Sequence, residues 1–181
     1  MRKVTYGAAC SLDGFIAAAD GAMDWLQFSK DAERIMAETW ARTDAVLMGR
    51  KTWEVAVASG QGGGAMPGVT GYVFSRTLTA LPPGAGATLV SEDAGAFVRR
   101  LKRQPGKEIC VLGGGELARS LLAAGVIDEI GLNMHPLLLG AGTPFFQDAG
   151  RIPLELAECR PIAGGCVLAV YRVRHRAPAR S

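Results

Sequence analysis

The sequence predicts an α/β fold, with a mixed, mostly parallel sheet, helices on both faces and an antiparallel edge made by a C-terminal hairpin. Two patterns carry this. Up to about residue 124, short apolar runs alternate with stretches of helical spacing, the order that builds a parallel sheet covered on both faces. Beyond it, residues 154–160 and 166–174 read as two strands paired as a hairpin across residues 162–165. The length of 181 residues suits a single domain over 1–175 with a basic tail at 176–181.

Each element has a local reason. Residues 4–10 form an apolar run that reads as a buried strand, closed by the turn signal Asp13-Gly14. Residues 15–19 form a short apolar piece before a second turn, Asp20-Gly21. From Ser29, a candidate N-cap, Ala32, Ile35, Met36, Thr39 and Trp40 recur at helical spacing to about Arg42. A short strand at 45–48 ends on Gly49-Arg50, and a helix runs over 51–58. The glycine-rich stretch 60–71 predicts a loop, followed by a strand at 72–75, a second loop at 81–86 and a brief strand at 88–90. Ser91 is the expected cap of a helix to about Arg103, whose basic end (Arg99, Arg100, Lys102, Arg103) suits a solvated C-terminus. A strand at 108–112, a tight turn at 113–115, a helix at 116–124 and a strand at 127–136 complete the series.

Charge and cysteine usage narrow the function classes. The formal charge is +3, but Arg172, Arg174, Arg176 and Arg180 lie in the last ten residues, and the rest of the chain carries −1. The basic balance is thus a property of the tail, and no nucleic-acid surface is expected. No apolar run reaches the length of a membrane span, and Met1 to Lys3 lead straight into a strand pattern, so a cytoplasmic protein without a leader is expected. Cys10, Cys110, Cys159 and Cys166 have no metal-ligand spacing; free thiols and no metal are the expectation.

Three junctions concentrate the chemistry, all at the carboxyl ends of expected parallel strands, where open α/β sheets bind ligands. At Gly49-Arg50-Lys51-Thr52 a glycine turns a strand into a helix whose free N–H groups attract phosphate, and Arg50 and Thr52 add a cation and a hydroxyl. At Ser75-Arg76-Thr77 a strand ends in polar and cationic groups. At Gly113-Gly114-Gly115-Glu116-Leu117 three glycines allow a diphosphate close to the main chain. Two cations, Arg50 and Arg76, favour the 2′-phosphate of NADP over the bare ribose of NAD. The first strand is followed by no G-x-G-x-x-G.

Several segments together resemble the dihydrofolate reductase superfamily, and more closely the reductase domain of the riboflavin-biosynthesis deaminase-reductase (RibD C-terminal type). They are 8–17 (AACSLDGFIA) with 20–25 (DGAMDW), 46–54 (VLMGRKTWE), 72–77 (YVFSRT), 109–122 (ICVLGGGELARSLL) and 127–146 (IDEIGLNMHPLLLGAGTPFF). The resemblance implies a dihydrofolate-reductase-like three-layer fold with an eight-stranded sheet, NADPH lying across it, and a small-molecule substrate. By position Gly49, Arg50, Lys51 and Thr52 would hold the 2′-phosphate and diphosphate. Ser75, Arg76 and Thr77 would flank the adenine ribose, and Gly114, Gly115, Glu116 and Leu117 would underlie the diphosphate. Ala9, Ile16 and Trp25 would border the nicotinamide. The family also implies a cis bond between Gly113 and Gly114, and a homodimer.

The implied reaction is NADPH-dependent reduction of a pterin- or pyrimidine-like heterocycle. The alternatives are a non-catalytic or regulatory NADP(H)-binding protein and an interaction module using the basic tail. Folate reductases use a carboxylate on the first helix. Asp31 is the nearest candidate here, with helix N-terminal charge as its other reading, and Asp24 comes second. Asp13 offers either a catalytic carboxylate or a turn former. His135 reads equally as structural or substrate-lining. The sequence holds no HxE…PCxxC deaminase signature. The acidic residue that riboflavin enzymes carry before the glycine turn falls at Leu112, so their substrate does not simply carry over.

Overall fold

A computed structural model of the chain describes residues 1–60 and 67–175. Along the chain come β1 (Val4–Ser11), β2 (Phe15–Ala18), α1 (Lys30–Arg42), β3 (Thr43–Gly49), α2 (Arg50–Ala58), β4 (Thr70–Phe74), β5 (Ala87–Val90), α3 (Ala94–Lys102), β6 (Glu108–Gly113), α4 (Gly115–Ala123), β7 (Glu129–His135), β8 (Gly142–Pro144), β9 (Leu154–Ile162) and β10 (Cys166–Val173). Eight of these strands form one sheet in the order β5-β4-β3-β6-β1-β7-β10-β9. Every pair from β5 to β7 is parallel. The expected hairpin supplies the antiparallel edge, with β10 against β7 and β9 against β10. Residues 61–66 of the expected glycine loop and the basic tail at 176–181 lie outside the described residues.

The sheet sorts side chains by alternation. On one face Val4, Tyr6, Leu47, Ile109, Val111 and Ile130 pack against Val98 and Leu101 of α3 and Leu117, Leu121 and Leu122 of α4. On the other, Val46, Met48, Val73 and Cys110 meet Trp53 of α2 and Trp40 of α1. Ile35 of α1 reaches the hairpin at Ile162, Cys166 and Leu168. Only Ala32 of α1 is buried, so this helix spans above the middle of the sheet and leaves space beneath it.

Four local expectations change. A second, two-stranded sheet pairs β2 with β8, a strand of three residues too short and too interrupted by Pro144 to show an alternating pattern. The cap of α3 is Asp93, whose Oδ1 accepts from the Ala96 N–H at 2.8 Å, two residues past Ser91. Lys102 does not join the solvated basic end. Its side chain is 7% exposed and its Nζ donates to Asp128 Oδ2 at 2.6 Å and to the Val126 carbonyl at 3.1 Å. The peptide between Gly113 and Gly114 is not cis; the turn is made instead by positive φ, 151° and 98°.

Charged groups close the amino-terminal edge of the sheet. Asp128 Oδ2 also accepts from the Val4 N–H at 2.8 Å, tying α3, β1 and the start of β7 to one carboxylate. Beside it Arg2 pairs with Asp44 and donates from Nε to the Lys107 carbonyl at 2.7 Å. The Lys107 N–H donates to Asp44 Oδ2 at 2.8 Å. Removing one partner of a buried pair strands the other charge, at a cost of about 3 kcal/mol. Asp128→Ala should therefore lower unfolding stability by about 3 kcal/mol in urea titrations. Adding Lys102→Met to that variant should restore part of the loss; no recovery would show that the backbone bond to Val4 carries the effect.

Candidate active site

The strand order sets the carboxyl ends of β4, β3, β6 and β1 side by side. It thereby brings the three chemistry-bearing junctions into one row. Helices α2 and α4 both begin on a glycine, Gly49 and Gly114, with no side chain capping either end. Their first N–H groups are left for another acceptor. The two glycines touch. A Cβ on Gly114 would lie 3.1 Å from both N and Cα of Gly49, so only glycine lets the two helix starts come so close. Thr52 Oγ1 lies beside them, 3.3 Å from where a Gly113 Cβ would be.

Around this edge Arg50, Lys51 and Arg76 are exposed cations, and Arg50 makes a loose pair with Glu54 at 3.8 Å. Ser75 organises its own turn, its Oγ accepting from the N–H groups of Thr77 and Leu78 at 3.2 and 3.1 Å. Leu117 is buried in the core, so its backbone alone faces this edge. Glu116 is exposed. One residue that the sequence did not single out stands here. The Gln147 side-chain amide rests against Gly115, within 2.5 Å of where a Cβ would be, over the start of α4.

Beneath α1 the sheet bounds a cavity of about 730 Å³, within the size range of small-molecule sites. Its floor is made by alternate residues of the central strands, among them Thr5, Gly7 and Ala9 of β1 and Glu129, Gly131, Asn133 and His135 of β7. Gly7 and Gly131 are register partners and leave the floor open at its centre. At the carboxyl end the walls are Ala9, Leu112, Asn133 and His135, with Arg160 of β9, paired to Glu158 at 2.6 Å, two strands across from Asn133. At the amino end they are charged and mutually paired: Lys3 lies 3.4 Å from Glu108 and 3.3 Å from Glu129, and Arg42 is 3.5 Å from Glu108.

Ala9 lines the cavity near the end of β1, and Leu112, which also lines it, leads directly into Gly113 and Gly114. Ile16 is half-buried on β2 and packs on the main core. Trp25 stands edge-on to His135, ring centroids 5.3 Å apart. The two carboxylates proposed for proton transfer are engaged elsewhere. Asp31 accepts from the Ala163 N–H at 3.0 Å and from Arg34 at 3.2 Å, which draws its pKa down and clasps α1 to the turn before β10. Asp13 accepts from Ser11 Oγ at 2.6 Å and from the N–H groups of Leu139 and Gly140 at 3.2 and 2.8 Å. The Ser11 bond leads in lowering its pKa. Neither lines the cavity. All four cysteines are free, and burial pushes the Cys10 and Cys110 thiols up to about 11, which makes them poor nucleophiles. Among the described residues no cluster of metal-binding side chains occurs, and no helix is long and apolar enough to cross a membrane.

Comparison with known proteins adds three findings. A family model described as the RibD C-terminal domain matches residues 2–168. The uncharacterized protein YyaP of Bacillus subtilis is 30% identical, with 94% of each chain covered. Two crystal structures share the fold. A candidate riboflavin biosynthesis protein from Shewanella sp. PV-4 superposes with a TM-score of 0.83 at 23% identity, over 96% of this chain and 99% of that one. The diaminohydroxyphosphoribosylaminopyrimidine deaminase/5-amino-6-(5-phosphoribosylamino)uracil reductase of Thermotoga maritima gives 0.71 at 16% identity, over 96% of this chain and 57% of its own.

His135 gives the cavity a measurable signature. Burial without a partner holds its imidazole below the usual histidine range, so the folded chain keeps it neutral. The unfolded chain takes up that proton as pH falls through about 6.5, and the folded chain does not until lower pH. This contribution to stability is therefore complete above about pH 6.5 and declines below it. In thermal melts between about pH 7.5 and 5.5, His135→Phe should flatten the downward slope of Tm toward acid; an unchanged slope would show that His135 does not carry it.

Proposed function

The chain belongs to the RibD C-terminal domain family, and from that membership we propose that it is an NADPH-dependent reductase of a small, uncharged heterocycle of pterin or pyrimidine type. The observation that carries this reading is the continuity of the two regions. A row of uncapped helix starts fit for phosphate runs into an open-floored cavity through Leu112, which lines the cavity and immediately precedes Gly113-Gly114.

The residues present suit the cofactor. Gly49 and Gly114 leave main-chain N–H groups of two helices facing one place, as a diphosphate needs. Arg50, Lys51 and Arg76 supply cations for a 2′-phosphate, and Thr52 a hydroxyl. When bound, NADPH supplies the hydride. The chain's part is to hold both molecules in contact and keep water out. Ala9 and Gly131 offer small surfaces on which two flat rings can approach, and Leu112 and the half-buried Trp25 limit solvent access. Leu112 also puts an apolar wall where riboflavin enzymes carry an acid, which favours a different acceptor from theirs.

A second reading, a nucleotide-binding protein without catalysis, draws on the engagement of Asp31 and Asp13 with backbone groups. A panel of heterocyclic acceptors separates the two: NADPH oxidation with any of them favours the reductase. We further propose a homodimer. Strand β9 is a nine-residue edge with Leu154 and Leu156 exposed at 40% and 55%, a surface suited to a second copy.

Two measurements test these readings. Arg50→Ala should weaken NADPH binding by about 1.5–3 kcal/mol, the worth of a charge-assisted contact, while NADH binding changes little. Equal loss for both would make Arg50 structural, and a wild-type chain that binds neither nucleotide would overturn the reductase. Light scattering at micromolar concentration should return twice the 19.0 kDa chain mass; a monomer mass would remove the dimer.

A further inference from the structure

Buried polar atoms without a partner are costly and rare in folded proteins. Of five such side-chain atoms among the described residues, one is Trp53 Nε1 of α2 and the other four gather in one place. Both ring nitrogens of His135, Oδ1 of Asn133 and Nε1 of Trp25 are buried with no hydrogen-bond partner among the described residues. His135 is 1% exposed. Asn133 and His135 are two apart on β7, so both side chains leave the same face of the sheet, and both line the cavity. Trp25 holds the imidazole edge-on. Asn133 is the register partner of Ala9, which also lines the cavity.

The chemistry of these atoms specifies what they can take. A neutral imidazole offers one donor and one acceptor, and Asn133 Oδ1 accepts. The two ring nitrogens point away from one another, so one edge can meet Asn133 Oδ1 and a single imidazole nitrogen: it must present a donor to Oδ1 and, beside it, a donor or an acceptor to the ring. A carboxylate has no donor for Oδ1, and a hydrocarbon ring satisfies nothing. A planar ring with adjacent N–H and C=O groups supplies both contacts. The floor below is flat and open: a Cβ on Gly131 would meet nothing within 4 Å.

We propose that Asn133 and His135 form the specificity-determining edge of the cavity, recognising the lactam or amidine edge of an uncharged, planar nitrogen heterocycle. This rests on the reductase reading and names the groups that select its substrate. An anionic acceptor whose edge carries no donor is rejected, because it would leave Asn133 Oδ1 unpaired.

The test uses 6-aminouracil and pterin as probes, and 6-amino-1,3-dimethyluracil, whose ring N–H donors are methylated, as control. Each is titrated into protein carrying 15N-labelled imidazole, with and without NADP+. The first two probes should move the unprotonated ring-nitrogen resonance of His135, and the dimethyl control should not. His135→Phe and Asn133→Leu should each weaken probe binding by about tenfold, the worth of one buried hydrogen bond, with NADP+ affinity within about twofold of wild type. Gly131→Val fills the floor without touching either polar side chain, and it should abolish probe binding while the melt stays cooperative. The inference is overturned if neither probe binds, if they bind without moving the His135 resonance, or if both polar variants bind them as wild type does. A wild-type chain that takes the probes with a His135 response yet binds no NADP(H) supports the recognition edge and overturns the reductase reading alone.

Discussion

The pairing of β1 with β7 is the constraint on which the rest of the molecule depends. It runs in parallel register from Thr5 opposite Glu129 to Ser11 opposite His135. Because side chains alternate along each strand, this register sends Val4, Tyr6 and Ile130 into the core under α3 and α4, and Thr5, Gly7, Ala9, Gly131, Asn133 and His135 under α1. A slip of one residue would exchange the two sets, burying Glu129 in the apolar core and filling the cavity with Ile130 and Leu132. The same register sets Gly7 against Gly131. A Cβ on Gly7 would come within 2.6 Å of the Gly131 carbonyl oxygen, so the open floor and the strand pairing depend on the same glycine.

The two ends of the sheet are built to different purposes. At the amino-terminal edge Asp128 and Asp44 draw separate elements together through paired and hydrogen-bonded charges. These groups are largely hidden from water and fix where each strand starts. At the carboxyl edge the devices are opposite: glycine caps without side chains, exposed cations, and a Gln147 amide lying over the start of α4. Uncapped helix starts give up stabilisation that a Ser or Asp cap would supply, about 1 kcal/mol each. The carboxyl edge is thus the one that leaves helix N–H groups open to an outside acceptor.

Much of this was legible in the sequence, and the limits have physical causes. The strand and helix series could be read because apolar runs and helical spacing report burial directly. The three phosphate-type junctions could be read because each is local. Their convergence into one row needed only the rule that parallel strands end on the same side. Strand β8 could not be read: three residues with a proline show no alternation, and the pairing with β2 depends on a contact distant in sequence. Asp31 and Asp13 looked available because their partners, Ala163, Leu139 and Gly140, lie more than a hundred residues away. The Asn133 and His135 pair was hidden by ambiguity rather than distance. Glu129, Gly131, Asn133 and His135 make a polar face of period two, which a solvated strand shows equally well. Only the position of α1, bridging above the sheet, turns that face into a buried wall.

That wall also accounts for the division of charge within the cavity. The amino-terminal half holds Lys3, Arg42, Glu108 and Glu129, which satisfy one another. The half next to the glycine row holds Leu112, Asn133 and a neutral His135, and its charges are confined to β9, where Arg160 is paired with Glu158 at 2.6 Å. An unpaired charge there would be poorly solvated. Neutral donors and acceptors instead discriminate by geometry. The burial that lowers the His135 pKa also preserves its acceptor, since an exposed imidazole would protonate and lose it.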